Sequence, residues 1–65
     1  MDGYKQLAAA IVEKAVVDYR TALKTYDDSG INHLERFFRS EWFTLLSDMN
    51  GDVIIWKVRK IVKEA

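Results

Sequence analysis

From Tyr4 to Tyr26, apolar side chains return every three or four residues, and neither glycine nor proline interrupts them. At about 100° per residue, Tyr4, Ala8, Ile11, Val12, Ala15, Val16, Tyr19, Ala22, Leu23 and Tyr26 fall within an arc of about 140°. Gln6, Glu13, Lys14, Arg20, Thr21 and Lys24 occupy the opposite arc, where Val17 is the lone large apolar residue. Alanine, leucine and long charged residues are good helix formers. The pattern predicts one long amphipathic helix over about 4–26, with a greasy stripe that needs other helices to cover it.

The rest of the chain supplies them. Asp27-Asp28-Ser29-Gly30 is a cluster of turn residues, in which Ser29 or Asp28 can cap a following helix. Asn32-His33-Leu34-Glu35 also has capping-box spacing, so that helix begins somewhere between Asp28 and Asn32. So short a loop makes the first two helices antiparallel neighbours. The stripe Ile31, Leu34, Phe38, Trp42, Leu45 keeps helical spacing, with Phe37, Phe43 and Leu46 beside it. Ser40-Glu41 reads as an N-cap with an acid in the first turn, which divides this stretch into helices over about 31–39 and 41–47; one continuous helix is the rival. Asp48-Met49-Asn50-Gly51-Asp52 is the second turn. Either Gly51 closes the preceding helix in the left-handed conformation or Asn50 caps the next. A last helix over about 52–64 turns Ile54, Ile55, Val58, Ile61 and Val62 inward. The expected fold is all-α: a single domain over 1–65, built as a compact bundle of three or four helices.

Composition removes several classes of function. The chain is 49% apolar, with no proline and three glycines, too greasy for disorder and too poor in turn residues for a β-sandwich. It has no cysteine, which excludes a disulfide scaffold, a thiol enzyme, an iron–sulfur cluster and the common structural zinc sites. At 65 residues, without disulfide or metal, such a fold depends on tight helix packing or on self-association. The apolar run Leu7–Val12, closed by Glu13, is too short for a secretory or membrane segment. The expected setting is the cytoplasm, with no membrane contact.

Catalytic chemistry is poorly supplied. His33 is the single histidine, and Ser29, Ser40 and Ser47 are the three serines, each placed where a turn or cap explains it. No nucleophile elbow, phosphate-binding glycine loop or His-x-x-x-His spacing exists. The pairs Asp27/Asp28 and Asp48/Asp52 read as turn and capping acids. Asp48, Asn50 and Asp52 begin like a calcium loop, but its glycine stands at the fourth place rather than the sixth, and Arg59 stands where the bidentate glutamate belongs. The reading is non-enzymatic, with no cofactor and no metal.

One surface remains informative. Trp56, Arg59, Lys60 and Lys63 share the outward arc of the last helix, and residues 53–65 carry four bases against one acid. Tryptophan and arginine dominate protein hot spots, so these four residues are the candidate contact for a protein partner or for self-association. The alternative is a nucleic-acid-binding regulator that lays this basic helix on phosphates. Against that stand the zero formal charge of the chain and a helix start, Asp52-Val53-Ile54-Ile55, unsuited to a groove. Phe37, Phe38, Trp42 and Phe43 are expected in the core where the helices meet.

The string Leu34-Glu35-Arg36-Phe37-Phe38-Arg39-Ser40-Glu41-Trp42-Phe43-Thr44-Leu45-Leu46-Ser47-Asp48-Met49-Asn50-Gly51-Asp52 resembles the ERFFRS-[DE]-WF…D-x-[DN]-G segment of small uncharacterised proteins carried by phages and prophages of Gram-positive bacteria. Val16-Val17-Asp18-Tyr19-Arg20-Thr21-Ala22-Leu23 is similar to their V-x-D-Y-R-x-A-L. The resemblance implies a phage or mobile-element origin, and hence a host bacterial cell, with no established activity and no catalytic residues carried over. Trp56 lies outside the matched segments.

Overall fold

In the computed structural model four helices form: α1 (Asp2–Lys24), α2 (Asp28–Phe38), α3 (Glu41–Leu46) and α4 (Gly51–Glu64). The structure describes residues 2–64, the side chains of Asp2, Tyr4 and Lys5 excepted, so the expected inward placement of Tyr4 lies outside it. The described residues make an all-α bundle. α2 returns antiparallel to α1, placing Glu35 beside Tyr19. α4 then rises parallel to α1: Met49, just before it, sits near Ala8 and Val12, Arg59 meets Tyr19, and Val62 lies by Leu23. α3 crosses below, at the N-terminal end of α1.

α1 stops two residues earlier than its apolar stripe. Tyr26 adopts φ 55°, while its N–H bonds to the Leu23 carbonyl at 3.4 Å and the Asp27 N–H to the Ala22 carbonyl at 2.9 Å. These two bonds make a Schellman cap, with tyrosine in the left-handed position that glycine usually holds. Tyr26 is therefore 87% exposed and does not belong to the inward face. The turn is Thr25–Asp27, so α2 begins at Asp28, the early limit of the expected Asp28–Asn32 range and three residues before the bound of about 31. Asp27, rather than Asp28, Ser29 or Asn32, is its N-cap: the carboxylate accepts from the Gly30 N–H at 3.1 Å.

α2 and α3 are separate helices. Ser40 is extended (φ −81°, ψ 160°), and its hydroxyl accepts from the Phe43 N–H at 3.2 Å and donates to the Phe37 carbonyl at 2.6 Å. That break resets the helical phase, so the stripe drawn through Trp42 and Leu45 does not continue inward. Phe43 takes the core position, while Trp42 and Leu45 are 60% and 70% exposed. Trp42 thus leaves the expected aromatic core to Phe37, Phe38 and Phe43, which pack edge-to-face at 5.5–5.8 Å between centroids. Such pairs add about 0.5–1.5 kcal/mol each beyond simple burial.

Asn50 caps α4 by accepting from the Asp52 N–H at 2.9 Å, and Gly51 is the first helical residue. Gly51 is not left-handed. What it provides is space: a Cβ there would run into the Phe38 carbonyl, so glycine lets the start of α4 seat against the end of α2. Within the bundle, Ala15 and Tyr19 meet Phe38, Phe43, Ile54, Ile55 and Val58 as one core cluster. Ala8, Ala15 and Ala22, all buried, recur every seventh residue and allow close approach to α1. Ile61, expected inward, is 57% exposed: the inward arc of α4 is centred on Gly51, Ile54, Ile55, Val58 and Val62, and Ile61 falls at its margin. Ile11, also expected inward, sits half out at the α1–α2 edge. No helix among the described residues is long and apolar enough to cross a membrane.

Candidate functional site

Trp56 stands on the outer side of α4, 60% exposed, since Ile54, Ile55 and Val58 commit the opposite side to the core. Lys60, one turn on, holds its ammonium 5.1 Å from the indole centroid, a cation–π contact worth about 0.5–1 kcal/mol at an exposed site. Lys63 continues the same line and is exposed. Three of the four residues expected on this face are thus brought together in the open.

The fourth is engaged elsewhere. Arg59 leans toward α2, where its Nη2 and its Nε (3.2 Å) both donate to Glu35 Oε2, and its Nε also reaches the Tyr19 hydroxyl at 2.9 Å. The Tyr19 hydroxyl donates to the same Glu35 oxygen at 2.6 Å. Tyr19 is wholly buried, so this small network gives its hydroxyl the partner that a buried phenol requires. Burial, and then the hydrogen bond to Glu35, push the Tyr19 phenol up to about 12. Burial also pushes the Glu35 carboxyl up, but the hydrogen bonds from Tyr19 and Arg59 and the charges of Arg59 and Arg39 outweigh it and hold Glu35 below the ordinary carboxylate range. The bond to Glu35 holds Arg59 above its ordinary value. Arg59 is accordingly a clasp between α1, α2 and α4, and the outward patch is Trp56, Lys60 and Lys63.

The network was missed in the sequence, although a signal existed. Glu35 lies three residues before the buried Phe38 and four after Ile31, an acid on the inward stripe of α2, and Tyr19 is a phenol on the inward stripe of α1. Each needed a polar partner from another helix.

His33 is exposed and shares an open polar cleft along α2 with Ser29, Asn32, Glu35, Arg36 and Arg39. No hydrogen bond among the described residues joins it to a serine. Ser40 and Ser47 are spent on backbone N–H groups. Asp52 pairs with Arg39 at 3.0 Å, bracing the start of α4 against the end of α2. Among the described residues no three His, Asp or Glu side chains converge as a metal site. No family model, no curated protein and no solved structure matches this chain.

Proposed function

We propose that this protein is a small non-enzymatic helical interaction module, a phage or prophage accessory protein as its central string implies, which engages a protein partner through the outer face of α4. The observation that supports this reading is Trp56 itself, the largest kind of apolar side chain, left 60% in water on a face that also carries Lys60 and Lys63 with exposed Asp52 and Val53. Tryptophan anchors dominate protein contacts because they bury a large area at little conformational cost. Lys60 stacked on the indole restricts that ring before any partner arrives. Lys57, Lys60 and Lys63 around it favour a partner pocket that is apolar at its centre and acidic at its rim.

The clasp of Arg59 with Glu35 also favours a protein partner over nucleic acid. It withdraws one base from the face, and the ion pair of Arg39 with Asp52 occupies another on the neighbouring helix. The test is affinity capture from the bacterial host with the parent and with Trp56→Ala in parallel. The expected result is a partner retained by the parent in moderate salt and lost by the variant, whose circular dichroism is unchanged. Equal retention by both proteins overturns the reading. Binding that collapses steeply between low and physiological salt would instead mark phosphate contacts.

A further inference from the structure

Among the described residues, one end of the bundle is left uncovered. α1 has 23 residues, whereas α2 has 11 and α4 has 14. Both lie along its C-terminal part, and among the described residues Ala8, Ala9, Val12 and Glu13 near its N-terminal end face Leu46, Ser47 and Met49 of α3 and the loop after it. At that end Leu7 (62%), Trp42 (60%) and Met49 (55%) are all largely in water. Beside them Ala8, Ala9, Val12, Leu46 and Met49 line an apolar groove of about 340 Å³, with Glu13 its one ionisable residue among those described.

The areas are telling. The chain exposes 5157 Å², whereas a compact monomer of its 7.6 kDa mass exposes about 4,300 Å². Over the whole chain the excess is about 900 Å², of the same size as the roughly 800 Å² that each partner contributes to a standard stable interface. The radius of gyration of 12.0 Å likewise exceeds the roughly 11 Å of a compact chain of this length. The uncovered end carries both a projection, Trp42, and a recess four residues along the same helix, where Leu46 borders the groove. A two-fold contact requires a surface that is complementary to itself, with projection and recess on one patch. Zero formal charge on the chain means that two copies do not repel.

We propose that a second copy of this chain covers this end, forming a closed two-fold dimer in which Trp42 of each copy enters the groove of the other. This surface is separate from the Trp56 face, which the dimer leaves open. The experiment is sedimentation equilibrium across a concentration series, with Trp42→Ala and Ala9→Arg as variants. Ala9 is exposed on α1, so the arginine blocks the groove without entering the core. The expected result is the mass of two chains for the parent and for Trp56→Ala, and the mass of one chain for both groove variants, with helical circular dichroism retained. Raising salt should leave the parent dimer intact, because its contact is apolar. A parent that stays at the mass of one chain up to its solubility limit overturns the proposal. So does growth beyond two chains, or a dimer that survives Ala9→Arg.

Discussion

Arg59 on α4 closes onto Glu35 on α2 across 24 positions of sequence, and the oxygen that receives it is the one that receives the Tyr19 hydroxyl. One carboxylate oxygen thereby joins three helices at mid-height. Ridge packing of aliphatic side chains tolerates sliding and rotation, whereas a clasp of this kind has one geometry. It fixes the register of α4 against α1 and α2.

Removing either side of that clasp should therefore cost stability. Arg59→Ala leaves a largely covered carboxylate without its cation and should destabilise the bundle by about 1–3 kcal/mol. Glu35→Gln, which still accepts from Tyr19, should cost less. A double-mutant cycle read by urea denaturation should give a coupling of about 1 kcal/mol or more between the two positions; additive effects would mean that the pair adds nothing beyond its separate parts.

The same network sets the dependence on pH at both extremes. Tyr19 has its folded value raised to about 12, so its contribution is complete below the ordinary phenol value of 10.0 and is lost as pH rises toward 12. Glu35 is held low in the folded chain; its contribution is present above the unfolded carboxyl value and is lost as pH falls below about 5 and on through the folded value. Melting temperatures of the parent should fall at both ends. Tyr19→Phe should flatten the alkaline limb, and Glu35→Gln the acid limb.

Tyr26 pays a conformational penalty. A left-handed backbone costs a side-chain-bearing residue about 1–2 kcal/mol, and with 87% of the residue in water the ring recovers little of it. Tyr26→Gly should stabilise the protein by about 0.5–1 kcal/mol, seen as a melting point raised by several degrees. An unchanged or lowered melting point would show that the ring matters to the fold after all.

Gly51→Ala should act in the opposite direction. The added methyl meets backbone at the Phe38 carbonyl, which cannot swing aside as a side chain can. A loss of about 2 kcal/mol or more is expected, read as a lower urea midpoint at unchanged slope.

How much of this was visible in the sequence depended on the range of the interactions. The α2–α3 break at Ser40 and the Asn50 cap were legible because a cap reaches only two or three residues along the chain. The alanines and Tyr19 on the inner face of α1 were legible because helical period alone places them. Trp42 and Leu45 were misplaced because one extended residue at Ser40 rotates everything after it, and a periodic stripe drawn across the break does not register that rotation. Ile61 lies at the margin of the inward arc that Gly51, Ile54, Ile55, Val58 and Val62 share, and how far a helix is rotated against its neighbours is a tertiary quantity. At the candidate site, Trp56, Lys60 and Lys63 followed from phase alone. Arg59 shares their arc, yet its conformation is set by Glu35, a partner that no local pattern indicates.

Partner binding through α4 requires Trp56 to be offered to a partner rather than absorbed by its own fold. The most direct measurement is acrylamide quenching of tryptophan emission in the Trp42→Phe chain, where Trp56 is the sole indole, across a range of protein concentrations. The account predicts red-shifted emission and rapid quenching at every concentration. Blue-shifted, poorly quenched emission would contradict it, since an indole already covered leaves no anchor for another protein.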